Sequence, residues 1–167
     1  MVSPRLRHSA PLPLPVGSTA LRRTLAAKIL VTLIFWAAPA LFLPAPWFPL
    51  FGIPQPPIAQ LVFVRLLGAA YVALCVGYAI AWRMPGRHPG AILVGIVSNG
   101  LAALAILSVG SAGGFDSWSP LGAAYIWGSC LAAGGVAIAL LVTGRPLLRK
   151  LLAERPPITT TRGGPAR

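Results

Sequence analysis

Four long apolar runs, separated by short connections rich in Pro and Gly, dominate the pattern of hydrophobic and polar positions. They cover roughly residues 25–43, 61–82, 91–110 and 121–143. A helix needs about 20 apolar residues to cross the hydrocarbon core of a bilayer. Because each run is about this long, the pattern predicts an all-α integral membrane bundle of four transmembrane helices, which together form one domain over residues 25–143.

Composition supports the membrane class. The chain is 56% hydrophobic and only 10% charged, whereas a soluble domain usually carries about 25% charged residues. The ends are Pro-rich, and we expect disordered tails at residues 1–24 and 157–167. In the intervening segment, 144–156, leucines recur at helical spacing among basic residues. This pattern predicts a short amphipathic helix on the membrane surface.

The distribution of positive charge predicts the orientation. When the chain is threaded through four spans, all fourteen Lys and Arg residues except Arg65 fall on one side. The positive-inside rule makes that side the cytoplasm, so both termini are predicted to be cytoplasmic, next to anionic lipids of the inner leaflet. Nucleic acid is not an expected partner, because no aromatic and basic recognition module accompanies the net charge of +12.

The first run has an alternative interpretation as a cleaved signal peptide. Basic residues precede it, and Ala38, Pro39 and Ala40 resemble a cleavage site. The apolar stretch continues through Leu43, however, which favours a retained span.

Arg65 is a charge inside the second run, roughly 6 Å below the predicted outer face. Its long side chain could reach the headgroups by snorkelling. Alternatively it could pair with Asp116, the single acid in the outer connections. The other outer connection, "PAPWFPLFGIPQPP", is predicted to lie stiffly at the interface, or to form a docking surface for a neighbouring protein.

Polar residues inside the runs are the other candidates for a structural role or a ligand contact. Ser98 and Asn99 lie in the middle of the third run, where an Asn must find a partner, either on another helix or in a bound molecule. Tyr71 and Tyr78 share one face of the second run with Gly68, Cys75 and Trp82. Frequent small residues predict close helix packing and a compact bundle with little internal volume.

Several kinds of chemistry have no support in the sequence. The predicted spans contain no Asp, Glu or His, which proton-coupled transport or haem ligation commonly uses. Cys75 and Cys130 each lie in an apolar run without C-x-x-C spacing, and we expect buried thiols. No nucleophile–base pair or phosphate loop is found. We therefore expect a non-catalytic protein without a metal or cofactor.

The opening of the second run, "RLLGAAYVALCVGY" at residues 65–78, together with the four-span layout, resembles the small bacterial four-helix membrane proteins that include DoxX-like families. In those families a comparable opening is more typical of the first helix. The resemblance implies a bundle in the bacterial inner membrane that sometimes works with redox partners, and it assigns no catalytic residue.

Three functions remain open. The favoured one is an accessory or structural subunit that has a protein partner in a larger membrane assembly. The alternative is a small-solute or lipid transporter, which could act as a homodimer and use Asn99, Ser98 and Tyr71. The third is a membrane enzyme or quinone-site protein with Tyr and Trp near the interfaces.

Overall fold

The computed structural model describes residues 17–153, and this part of the chain is helical apart from short connections, with no strand. The first span consists of α1 (Gly17–Val31), a π-helical segment (Thr32–Ala37) and α2 (Ala38–Phe42). A 3₁₀ helix (Ala45–Phe51) leads to α3 (Ile58–Arg83). A 3₁₀ turn (Pro85–Arg87), α4 (Pro89–Ser111) and α5 (Pro120–Ala153) complete the fold.

Four stretches of the described chain are long and apolar enough to cross a membrane: Thr19–Phe42, Ile58–Arg83, Pro89–Ser111 and Pro120–Lys150. This confirms the predicted all-α fold with four helices that are long and apolar enough to span a membrane. It also agrees with the expectation of a multi-pass membrane protein.

The predicted segment boundaries differ from the structure at both ends. α1 begins at Gly17, inside the segment 1–24 that was expected to be a disordered tail. The predicted separate helix 144–156 is, as far as Ala153, the uninterrupted last part of α5. The rest of that segment and both predicted tails beyond these points lie outside the described residues.

Proline and glycine fix the ends of the helices. Pro89 and Pro120 are the first residues of α4 and α5, where the missing N–H costs no helical hydrogen bond and the fixed φ already suits a helix. Gly52 and Gly113, after the 3₁₀ helix and after α4, have φ of 75°. Glycine reaches this left-handed region without a steric penalty, so the chain can turn sharply there.

The two ends of the bundle differ in chemistry. At one end the Arg22 guanidinium donates a hydrogen bond of 3.0 Å to the carbonyl of Arg83, which joins the start of the first span to the last residue of α3. We call this the basic end. The opposite end carries the 3₁₀ helix Ala45–Phe51, and we call it the aromatic end.

The half of the bundle nearer the basic end is closely packed. Its core is formed by one cluster of buried residues: Leu21, Leu25, Tyr78, Ala81, Ile92 and Leu140. Two glycines allow α4 and α5 to approach each other here. A Cβ on Gly95 would lie 2.8 Å from Leu140 Cδ1, and a Cβ on Gly144 would lie 2.9 Å from Ile92 Cγ2. Small residues at such contacts are typical of membrane helices.

The first span is irregular near its middle. Pro39 has no N–H to donate to the Phe35 carbonyl four residues earlier, and the N–H of Ala38 bonds to Leu33 in the π-helical pattern. The hydroxyl of Tyr125 donates to the Phe35 carbonyl and so connects the first span to α5. Short π-helical segments inside α-helices are frequent at functional sites.

The 3₁₀ helix folds over the aromatic end and is fixed to the start of α5. Ser119 donates from Oγ to the carbonyl of Leu50 (2.6 Å) and from its backbone N–H to the carbonyl of Phe51 (3.3 Å). The Phe51 ring meets the Tyr125 ring edge-on with 5.7 Å between centroids. A methyl group at Gly122 would overlap the Phe51 carbonyl, so only glycine allows this contact. We call this 3₁₀ helix the roof.

Candidate functional site: a cavity inside the bundle

A cavity of about 730 Å³ lies between the first span, α3, α4 and α5 in the half nearer the aromatic end. Its volume is in the range of small-molecule sites, which is about 300 to 1,000 Å³. The expectation of a compact bundle with little internal volume is therefore wrong. Close helix contacts also occur, at Gly95 and Gly144 in the other half and at Gly68 and Gly110 in this half.

Apolar side chains form the walls and the roof of the cavity. They come from all four spans and the roof and include Trp36, Leu67, Ile106, Ile126, Phe48 and Phe51. Phe42 and Trp47 also line the cavity while being 74% and 55% exposed, so the cavity is open to the exterior near the aromatic end. The outer connection, predicted to lie stiffly at the interface or to form a docking surface, thus turns part of its aromatic surface inward.

Polar side chains are concentrated at the opposite end of the cavity. On each helix they are the first or second lining residues counted from the basic end. They comprise Lys28, Thr32, Tyr78, Ser98, Asn99 and Ser129. We call this group the polar floor. An apolar cavity with a few convergent polar groups is the usual form of a small-molecule binding site.

Lys28 is the charged member of the polar floor and is only 3% exposed. It lies roughly 14 Å along the helix from the start of the span at Thr19. Its Nζ lies 4.3 Å from the centroid of the Tyr78 ring, a cation–π geometry. Such a contact contributes about 2 kcal/mol when desolvated, whereas removing an ammonium group from water costs several kcal/mol. The ring alone therefore does not compensate for the burial of a charged Lys28.

Two hydroxyl groups of the polar floor are buried without a hydrogen bond. Thr32 is 3% exposed and its Oγ1 has no partner. Tyr78 is 2% exposed, and its hydroxyl lies near Ser98 without forming a hydrogen bond of normal geometry. Most buried polar groups in proteins are paired. Unpaired hydroxyls beside a cavity therefore mark a position where a polar group of a bound molecule would be favoured.

Asn99 and Ser98 bond within their own helix. Asn99 Nδ2 donates to the Gly95 carbonyl at 2.6 Å, and Ser98 Oγ donates to the same carbonyl at 3.4 Å. The structure thus gives Asn99 no interhelical hydrogen bond of the kind considered from the sequence. Its amide oxygen is left as a possible acceptor at the cavity, which favours the ligand-contact interpretation.

Most of the predicted face of the second run is confirmed. Gly68, Cys75 and Tyr78 are buried, and Tyr71 lines the cavity with its ring 6.2 Å from that of Trp36. Trp82 departs from the pattern, because it is 43% exposed. Both cysteines, Cys75 and Cys130, are buried free thiols, as expected.

Arg65 and Asp116 are not brought together. Arg65 donates from Nη1 to the Ala40 carbonyl (2.7 Å) and from Nη2 to the Leu43 carbonyl (2.6 Å). The last carbonyls of a helix lack intrahelical partners and attract a cation. Asp116 is exposed in the connection after α4 and forms no ion pair with Arg65 in the described chain. The alternative of a pair with Asp116 is not realised, and Arg65 instead fixes α3 to the end of the first span.

Lys28 is the functional candidate that the sequence analysis missed. A predicted span starting at residue 25 placed it near the membrane surface, but α1 begins at Gly17 and carries it into the bundle. A usable signal was present, because an ionisable residue within a membrane span is a functional candidate by default.

No family model, curated protein or solved structure matches this chain. The resemblance to DoxX-like proteins therefore stays a prediction. The class of protein is defined by its own fold and site: four helices able to span a membrane around a cavity with apolar walls and a polar, cationic floor.

Proposed function

We propose that this protein binds a small, mainly apolar molecule with one polar group in the cavity, and that it carries or presents this molecule within the membrane. The observation that supports this most directly is the division of one cavity into apolar walls and a polar floor. A molecule with the same division would cover the apolar side chains and supply partners to the buried hydroxyls of Thr32 and Tyr78. The proposal is for binding and transfer, without catalysis.

The role of accessory subunit in a larger assembly has weaker support. It was based partly on the aromatic connection as a docking surface, yet Phe48 and Phe51 line the cavity. A purely structural subunit also has no need of a cationic cavity, since burying Lys28 costs stability. Exposed apolar side chains along the spans are expected for any protein in contact with lipid.

In the proposed orientation both termini are cytoplasmic, and the basic end faces the anionic inner leaflet of a bacterial inner membrane. Arg22, Arg83 and Arg87 lie at that end, as the positive-inside rule requires. The last part of α5 would lie at the inner surface, and the cavity would open toward the outer leaflet. A reporter that is active only outside the membrane, inserted at Phe115, should be active; activity only at the C-terminus would reject this orientation.

The binding proposal is tested with dodecan-1-ol and a variant that fills the cavity. Ala102 lines the cavity, whereas Ala105, one turn further along α4, is exposed. Ala102→Trp therefore occupies the cavity, and Ala105→Trp places the same side chain on the outer surface. Each protein is reconstituted in nanodiscs of zwitterionic lipid, and its thermal unfolding is measured with and without dodecan-1-ol.

The alcohol should stabilise the wild type and Ala105→Trp but not Ala102→Trp. Saturation at about 100 times the dissociation constant would add about 2.7 kcal/mol to the free energy of unfolding. Equal shifts for all three proteins would show that the alcohol acts through the bilayer, and they would count against a binding cavity. An unstable Ala102→Trp would be replaced by Ala102→Leu, which fills less of the cavity.

A further inference from the structure

The charges around the cavity are unbalanced. Lys28 is the charged residue in the lining, and none of the lining residues in the described chain is an acid. The sequence contains two acids, Asp116 and Glu154. Asp116 is exposed in the connection before α5 and does not line the cavity, and Glu154 lies outside the described residues. The described protein therefore offers no carboxylate to the Lys28 amine.

The groups next to Lys28 are hydrogen-bond donors. Thr32 follows Lys28 by four residues and lines the same cavity, and its Oγ1 is buried and unpaired. The Tyr78 ring is in contact with the amine, and the Tyr78 hydroxyl is also unpaired. The amine and the two hydroxyls belong to residues that line one cavity. Each can donate to the oxygens of an anion, and such charge-assisted hydrogen bonds are strong.

The remainder of the cavity excludes a molecule that is polar throughout. Between the polar floor and the opening near Trp47, the walls consist mainly of aromatic and aliphatic side chains. A polar body there would lose its hydrogen bonds to water without replacement. The matching ligand has its polar group at one end only.

We infer that the ligand is an amphiphile with a single small anionic group, a carboxylate or a phosphate, that binds Lys28, Thr32 and Tyr78, while its apolar body extends toward the roof. This inference rests on the proposed function and specifies its ligand class. The anionic group balances the charge of Lys28 and accepts hydrogen bonds from the two hydroxyls.

The test compares probes that share one chain length and differ only in the head group: dodecanoate, dodecyl phosphate, dodecan-1-ol and dodecylamine. Binding is measured by thermal stabilisation in zwitterionic nanodiscs at neutral pH, where a carboxylate is ionised and an amine is protonated. The wild type is compared with Lys28→Met, which keeps most of the side-chain volume, and with Lys28→Arg, which keeps the charge. Because the cavity of Ala102→Trp is occupied by the new side chain, any stabilisation of this variant by a probe measures the effect of that probe on the bilayer.

The wild type should bind dodecanoate or dodecyl phosphate roughly tenfold to a hundredfold more tightly than dodecan-1-ol, and dodecylamine most weakly. Lys28→Met should lose this preference but still bind the alcohol, and Lys28→Arg should keep part of the preference. Whichever of dodecanoate and dodecyl phosphate binds more tightly identifies the head group that fits better. A preference for either of them over dodecan-1-ol supports the inference.

The inference is overturned if the wild type binds dodecan-1-ol as tightly as both anionic probes, or if Lys28→Met keeps the anion preference. In both cases binding in the cavity would stand. If no probe stabilises the wild type more than Ala102→Trp, the proposed function itself fails. Should Lys28→Met not fold, the ranking of probes on the wild type decides the question.

Discussion

The two halves of the bundle are built from the same four apolar spans, yet one is filled and the other is hollow. Toward the basic end Leu25, Ile92 and Leu140 have no exposed surface, and the α4–α5 glycine contacts bring their helices together. Toward the aromatic end a smaller buried cluster that includes Cys130 packs between α4 and α5, and large side chains such as Trp36 lie beside a cavity that they do not fill. Hydropathy determines which segments can enter the membrane, but the sizes and positions of facing side chains determine whether the interior is packed.

The shape of the first span contributes to this difference. Its α1 segment contributes Leu21 and Leu25 to the packed cluster. Beyond the π-helical segment, α2 packs on α3 at Gly68, where a Cβ would lie 2.8 Å from Leu41 Cγ. Since apolar surface inside a lipid bilayer gains little by leaving the lipid, close packing depends on van der Waals fit. The first span, whose α2 segment packs on α3 beyond the π-helical segment, can therefore leave space between itself, α4 and α5.

The largest effect expected from this comparison is a difference between Leu140→Ala and Ile126→Ala, two truncations on α5. Leu140 is fully buried in the packed half, so its truncation should lower the free energy of unfolding by about 2 to 5 kcal/mol. Ile126 lines the existing cavity and loses fewer contacts, so we expect about 1 kcal/mol or less. Equilibrium unfolding in mixed micelles measures both, and equal losses would contradict the distinction between the halves.

The second expected effect tests how the roof closes the hollow half. In Gly122→Ala the new methyl group overlaps the Phe51 carbonyl, so the roof must move, at a cost of about 1 to 3 kcal/mol. Gly128→Ala is the matched control on α5, because a Cβ there meets nothing within 4 Å. It should be neutral or stabilise the helix by up to about 1 kcal/mol. Thermal unfolding of both variants measures the two effects. If Gly128→Ala is destabilised as much as Gly122→Ala, the loss comes from substituting any glycine of α5 and not from the contact with the roof.

The sequence predicted the spans, their breaks and several residues of the cavity. The spans follow from runs of apolar residues, and the breaks follow from residues such as Pro89 and Pro120. Four of the candidate residues, Tyr71, Tyr78, Ser98 and Asn99, do line one cavity. Residue types and positions in the runs were sufficient to group Tyr71, Ser98 and Asn99 as one possible polar site, whereas Tyr78 was placed on a helix face.

The cavity itself and its cation were not predictable in the same way. A cavity depends on the angles and positions at which the helices cross, and neither helical periodicity nor composition predicts these. Lys28 was misplaced because the start of α1 lies in a segment whose polar composition resembles a tail. The two roles considered for Arg65, snorkelling and a pair with Asp116, did not include its actual partners. The helix-end carbonyls of Ala40 and Leu43 are present in any sequence and give no signal.

The smallest expected effect concerns the tie between α3 and the first span at the aromatic end. Arg65→Met removes two hydrogen bonds from a guanidinium to carbonyl oxygens. Because Arg65 is only half-buried, we expect a loss of about 1 to 2 kcal/mol in the free energy of unfolding. Asp116→Asn should change it by about 0.3 kcal/mol or less, since Asp116 is exposed and the Arg65 guanidinium donates elsewhere.

A double-mutant cycle of Arg65→Met with Asp116→Asn separates this tie from an ion pair. If Arg65 acts only through the carbonyls of Ala40 and Leu43, the two changes add, and the coupling lies within about 0.3 kcal/mol of zero. Favourable coupling beyond about 0.5 kcal/mol would mean that the connection after α4 folds back over α3. The aromatic end would then be closed by a second contact, and the contrast between a filled and an open half would be weaker than the structure indicates.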